Sequence, residues 1–298
     1  LTLQPKFEGI FPPHVTPFSK NEEIDFAAIK RLIHFWQGSG CSGLVTCASN
    51  GEAPYLSREE RRMVLGLVTD EVNGKNPVIA GVGAPSTRET IVLARDAEDM
   101  NADALLIVSP YFYKPTNTEL FAHYARVISS TDLPVVIYNV PKFTGYNLDA
   151  SLIEKLIAEF EQVVGIKDSS GAIGQISELA DHVGNKVSLL AGTADVFLPS
   201  LCVGAKGAIL AIANVVPQMC VDLYNYFRQD EFEKARQISV KLLRLNNVLV
   251  KKFNQISAIK EAMNQLGRPA GFPRGPSLPL DESACNEIRT ELTALGIA

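Results

Sequence analysis

Cysteine and histidine are scarce in this chain of 298 residues, five of one and four of the other. Cys41, Cys47, Cys202, Cys220 and Cys285 are scattered and odd in number, with no CxxC pair and no Cys/His cluster at metal-ligand spacing. That argues against a zinc site or a disulfide framework, so reduced thiols in a cytosol-like compartment, and no metal, are expected. Excess charge of one sign is lacking too. A formal charge of −5 and a pI near 5.5 come with no basic stripe or like-charge run, so nothing draws the chain to nucleic acid. No apolar run is long enough to span a membrane. The opening, LTLQPKFEGIFPP, has neither the apolar core of a signal peptide nor the arginine-rich character of a transit peptide. No Pro/Ser-rich linker divides the sequence. With 46% hydrophobic and 20% charged residues, it has the composition of a soluble globular protein.

What is present is a regular alternation. Short apolar, β-branched stretches lie at 9–15, 43–46, 78–84, 104–108, 133–138, 163–167, 187–191 and 207–211. Each is followed by a segment of helical periodicity, several opened by a cap: Asp25 before FAAIKRLIHFW, the SREE box at Ser57, and STRE at Ser86. Eight strand-helix units at spacings of roughly 20 to 35 residues predict an α/β fold, an eightfold β/α (TIM) barrel. An open doubly wound sheet usually has fewer strands before a domain break. From residue 230 the pattern is helical only, over 231–252, 257–266 and 282–295, with the Pro/Gly-dense GRPAGFPRGPSLPL as a surface connection. The expected organisation is a barrel over 1–229 and a helical segment over 230–298 that covers it or serves an oligomer contact.

A β/α barrel carries its active site where the strands end in their carboxyl-side loops. In VVGIKDSSG, residues 163–171, Lys167 closes an otherwise apolar strand. Burial lowers an amine's pKa, and a neutral amine attacks a carbonyl to form a Schiff base. Taken alone, the stretch equally describes a strand-end lysine whose head reaches water. Tyr138 ends the preceding strand, so its phenol and the amine can share one pocket, where a phenol relays protons. Ser49, Asn50, Gly51 and Glu52 follow the second strand; the loop is either a plain Asn-Gly turn or an anion cradle of backbone N–H groups and a hydroxyl. Tyr111, Phe112 and Tyr113 follow the fourth, Gly192 and Thr193 the seventh, and Ile209 lies in the eighth. GVGAPS, residues 81–86, lacks the later glycine and the ribose-binding acid of a dinucleotide fingerprint, and no cofactor is expected. His14, His34, His123 and His182 fall in strand or helix patterns and read as structural. Ser169 and Ser170 have no placeable histidine and acid partners, which disfavours a hydrolase triad.

The series SNGE, GVGAPSTRETI, SPYFYKPT, YNVPKFTG, VVGIKDSSG, GTAD and GAKGAILAIANVVP, in this order, resembles the dihydrodipicolinate synthase / N-acetylneuraminate lyase family of class I aldolases. The resemblance covers nearly the whole chain. It implies a β/α barrel with a C-terminal helical segment, a cytoplasmic homotetramer built from dimers, and no cofactor. It implies Lys167 as the Schiff-base lysine, Tyr138 as the proton-transferring tyrosine, Ser49 and Asn50 as the carboxylate-holding pair with Ser49 assisting proton transfer, and Gly192 and Ile209 as pyruvate-lining residues. Two positions depart from the synthases: Phe143, with Lys142 beside it, stands where an arginine commonly holds the aldehyde's carboxylate, and Phe112 where a tyrosine reaches a neighbouring subunit's site, so Phe112, Lys142 and Phe143 are expected to decide which aldehyde is used. The SNGE form, KDSSG and LVKKFNQISAIKEAM look more like the 4-hydroxy-2-oxoglutarate and 2-keto-3-deoxy sugar acid aldolase branches. The expected activity is reversible aldol cleavage of such a 2-keto acid to pyruvate and an aldehyde. The alternatives are condensation of pyruvate with aspartate semialdehyde, and a 2-keto-acid-binding barrel without turnover.

Overall fold

A computed structural model describes residues 7–184 and 186–298. The reading of the opening segment therefore falls partly on residues 1–6, outside the described residues. Strands β1 (Gly9–Ile10), β2 (Leu44–Thr46), β3 (Val78–Gly81), β4 (Ala104–Val108), β5 (Val135–Asn139), β6 (Val163–Asp168), β7 (Ser188–Ala191) and β8 (Gly207–Ala208) form one parallel sheet, β2 to β8 paired in sequence order and β1 with β8. The chain just past β1 joins β2, with Val45 N donating to Pro12 O at 2.9 Å and His14 N to Val45 O at 3.0 Å. The sheet thereby closes into a barrel with no open edge.

The helices between strands are α1 (Phe26–Gly38), α2 (Arg58–Val72), α3 (Thr87–Asp99), α4 (Asn117–Ile128), α5 (Pro141–Thr144), α6 (Ala150–Glu159), α7 (Ile173–Val183) and α8 (Phe197–Cys202). Their starts are where the caps put them. Asp25 accepts from Ala28 N at 2.8 Å, Ser86 from Glu89 N at 3.2 Å, and Ser57 and Glu60 complete the reciprocal capping box. Short helix α5, inside the expected NVPKFTG loop, has Pro141 in its first turn and ends at Gly145 with φ +80°.

Each strand is buried on both faces, which is why the strand stretches read as continuous apolar runs. Val45, Ile79, Leu106, Val136, Val164, Leu190 and Ile209 fill the barrel interior, while Leu44, Leu105, Ile107, Val135, Ile137, Ile166 and Leu189 pack outward against the helices. Beyond β8, α9 (Pro217–Arg228) is followed by α10 (Phe232–Asn246), α11 (Gln255–Gln265) and α12 (Glu282–Ala294). Helix α10 packs on α8 and α9, and α11 on α12. The expected single helix over 231–252 instead stops being α-helical at Asn246 and continues as a π-helical stretch, Asn247–Lys252. No helix among the described residues is long and apolar enough to cross a membrane.

His14 and His123 are buried, His14 stacked on Trp36 with centroids 5.7 Å apart and His123 Nδ1 2.9 Å from Thr87 Oγ1. Burial pushes both imidazoles down to about 4. Between that value and the ordinary 6.5 the unfolded chain binds the extra protons. Stability from these residues is therefore complete above pH 6.5 and lost as pH falls toward 4, by about 3 kcal/mol each. Urea unfolding between pH 7 and 4.5 should show that slope, and His123→Gln should flatten it. An unchanged slope in the variant would count against this account of His123.

Candidate active site

Lys167 reaches the barrel interior because β6 is irregular. Val135 pairs with Val163, but Val136 pairs with Gly165, so Val164 is an extra residue in the ladder. Strict alternation from the outward-packed Val163 would send Lys167 outward as well. The bulge shifts the phase by one, and Lys167 falls in register with Tyr138, both side chains inside. Lys167 is 2% exposed, and its Nζ lies 4.0 Å from the Tyr138 ring centroid. Burial holds its amine below the ordinary lysine range, an effect the adjacent Tyr138 hydroxyl opposes. A buried lysine of this kind reaches the neutral, nucleophilic form more readily than a surface one.

The 49–52 loop forms the neighbouring wall. Glu52 N donates to Ser49 O at 3.2 Å and Thr16 Oγ1 to Gly51 O at 2.8 Å, which fixes the turn. Among the described residues the amides of Ser49 and Asn50 donate to no protein group, so they are available to an anion. Asn50 is held from the C-terminal side, its Oδ1 accepting from Gln255 Nε2 at 2.7 Å. Glu52, with φ +56°, turns away into the protein and pairs with Lys260.

The β5 and β6 ends are braced by Asp168. Its carboxylate accepts from Asn139 Nδ2 at 2.7 Å, Gln175 Nε2 at 3.0 Å and Ser170 N at 3.0 Å. Gly192 has no room for a side chain: a Cβ there would lie 1.9 Å from Ser169 Oγ and 2.7 Å from Asp168 O. Lys167, Tyr138, Ser49, Asn50, Gly192 and Ile209 thus line one cavity of about 60 Å³. Phe143 lies at its mouth and also borders an adjoining, mostly apolar cavity of about 240 Å³ shared with Ser49, Tyr138 and Tyr111.

Phe112 is placed differently. It lines neither cavity, is 87% exposed with φ +85°, and stacks edge-on against the exposed Tyr113. The glycines of GVGAPS are required by packing, since a Cβ at Gly81 would lie 2.3 Å from Cys47 O and one at Gly83 2.1 Å from Val108 Cγ1. Among the described residues no group of three His, Cys, Asp or Glu side chains is placed to hold a metal ion.

Four further residues line the cavity: Lys142 on α5, which stands beside Phe143 in the YNVPKFTG motif, Asn246 at the end of α10, Val250 in the π-helical stretch, and Gln255 at the start of α11. Three come from the C-terminal segment, whose helical periodicity says only that it packs.

The dihydrodipicolinate synthetase family model matches residues 6–295. The 4-hydroxy-tetrahydrodipicolinate synthase of Methanocaldococcus jannaschii is 39% identical, over 98% of this chain and 99% of that protein. That of Archaeoglobus fulgidus is 37% identical, over 97% and 98%. A crystal structure of dihydrodipicolinate synthase superimposes with a TM-score of 0.93 at 38% identity, covering 98% of this chain and all, 100%, of the other. YagE, an Escherichia coli prophage protein of the same family solved in complex with pyruvate, gives 0.95 at 30% identity, covering 98% and 99%. With the match running nearly end to end in sequence and in fold, the chain belongs to the dihydrodipicolinate synthetase family and is an enzyme of that Schiff-base lyase class.

Proposed function

We propose that this chain is a pyruvate-dependent class I aldolase that reversibly cleaves a 2-keto acid, such as 4-hydroxy-2-oxoglutarate or 2-keto-3-deoxygluconate, to pyruvate and an aldehyde. The observation that carries it is the buried Lys167 amine against Tyr138, in a cavity that no aspartate or glutamate lines among the described residues. Lys167 Nζ adds to the C2 carbonyl and water leaves, giving an iminium. Tyr138 takes the C4 hydroxyl proton, the C3–C4 bond breaks, and its electron pair passes into the iminium as the aldehyde departs. The enamine regains a proton at C3, and water releases pyruvate. The free amides of Ser49 and Asn50 hold the C1 carboxylate, the Ser49 hydroxyl assists proton transfer, and Gly192 and Ile209 border the methyl end.

The names of the relatives favour a second reading, condensation of pyruvate with aspartate semialdehyde. Against it stands Phe143, whose ring does not replace the bidentate fork that an arginine commonly offers the semialdehyde carboxylate at this position. Pyruvate release from the two keto acids should exceed condensation with the semialdehyde in kcat/KM. A dominant rate with the semialdehyde would make the chain a synthase. We also propose a homotetramer, in which a subunit contact covers the exposed Phe112 and Tyr113.

A further inference from the structure

The lining of the Lys167 cavity has a charge imbalance. Among the described residues it contains two lysines, Lys142 and Lys167, and no carboxylate. Lys167 is accounted for by its covalent role. Lys142 is not, and its surroundings are unusual for a surface lysine. Helix α5 carries it to the cavity mouth, where Nζ donates to Val250 O and Gln255 Oε1, both at 3.2 Å. The Val250 carbonyl lies in the π-helical stretch, the kind of helix irregularity common at functional sites. Lys142 Nζ also sits 5.6 Å from the Phe143 ring centroid, so an apolar face screens part of it from water. Partial desolvation holds its ammonium below the ordinary lysine range, an effect Tyr138 opposes. An ammonium has three donors, and two are used on neutral oxygens. Among the described residues nothing takes the third donor or pairs with the charge. In the same lining, Asn246 is 2% exposed and its Nδ2 has no hydrogen-bond partner among the described residues. A buried donor without a partner is a cost that a ligand acceptor removes.

We infer that Lys142 is a specificity-determining residue that binds a second carboxylate, at the far end of the 2-keto acid, with Asn246 as an additional donor. The substrate class is then a dicarboxylic 2-keto acid rather than a sugar acid with an uncharged tail. One carboxylate lies on the 49–50 amides and the other at the mouth, with the scissile bond between them. This rests on the aldolase reading, which supplies the first carboxylate and the Lys167 adduct.

The test compares 4-hydroxy-2-oxoglutarate with 4-hydroxy-2-oxopentanoate, which has a methyl group in place of the far carboxylate. Wild type should favour the dicarboxylate. Lys142→Met should raise its KM about tenfold or more with kcat changed less, and should change the KM of the methyl analogue far less than that of the dicarboxylate. Lys142→Arg should recover most of the loss, and Lys142→Glu should invert the preference. Equal changes for both substrates in Lys142→Met, or a wild type that favours the methyl analogue, would overturn the inference. Borohydride trapping with pyruvate separates the two levels. An adduct on Lys167 together with an indifferent Lys142 rejects this inference alone, whereas no adduct rejects the aldolase reading beneath it.

Discussion

Lys167→Ala is expected to lower pyruvate-forming activity on the order of 10⁴-fold or more, and to abolish the adduct that borohydride fixes when pyruvate is present. The size of the effect follows from the mechanism. In the proposed mechanism the iminium is where the electrons of the broken bond go, and among the described residues no other amine of the cavity is placed to form it, because Lys142 stands at the mouth. Lys167→Arg should be nearly as inactive, since a guanidinium stays charged at any working pH. Tyr138→Phe should separate the two functions of the site. It keeps the ring beside Nζ and removes the hydroxyl, so the adduct should still form while turnover falls about 10²-fold or more. Intact-mass measurement after reduction reads the first effect and steady-state kinetics the second. Wild-type levels of adduct in Lys167→Ala would defeat the assignment.

The barrel was legible because each of its layers leaves a local trace. Buried parallel strands read as apolar runs, and Asp25, Ser57 and Ser86 announce helices in the residues beside them. The pairing of Tyr138 with Lys167 was legible for a weaker reason, since strand ends come together whatever the phase of their side chains. That Lys167 points inward depends on the extra residue Val164, and alternation alone gives the opposite face. Gly165 beside Val164 is a local hint, since a glycine within a strand often marks a bulge, but the resulting phase arises from matching two strands distant in sequence. The π-helical stretch after Asn246 was hidden in the same way, its residues continuing a helical pattern while their hydrogen bonds shift. Lys260 and Gln255 act on a loop some two hundred positions earlier, and periodicity carries no information across that distance.

Among these, Lys260 should give the largest stability effect. It is 1% exposed on α11, pairs with the fully buried Glu52, and donates to Thr16 O at 2.6 Å and Phe272 O at 2.7 Å. Its Nζ lies 4.5 Å from the Phe18 ring centroid, and Glu52 also accepts from Arg274 N at 2.9 Å. Burial dominates both titrations, holding the Lys260 ammonium down at about 8 and the Glu52 carboxyl above its ordinary range despite their attraction. Such a pair contributes little net stability, but removing one member strands the other. Lys260→Met should therefore destabilise the protein by roughly 3–5 kcal/mol at pH 7.5.

The loss should shrink as pH falls. Without Lys260 the Glu52 carboxyl moves higher still in the folded state, so the folded variant binds a proton that the unfolded chain does not, and its stability relative to wild type rises toward pH 5.5. The double variant Glu52→Gln, Lys260→Met should recover more than half of the loss, because no buried charge is left alone. Urea unfolding of the two variants at both pH values is the measurement. A loss below about 1 kcal/mol, or one independent of pH, would mean that water reaches Glu52. The same variants bear on catalysis. Glu52 ends the 49–52 loop, and α11 grips that loop twice, through Lys260 on Glu52 and Gln255 on Asn50. Loosening the first grip should weaken pyruvate binding more than it slows turnover, since the amides of Ser49 and Asn50 lose their fixed aim while Lys167 and Tyr138, held by β5 and β6, keep theirs.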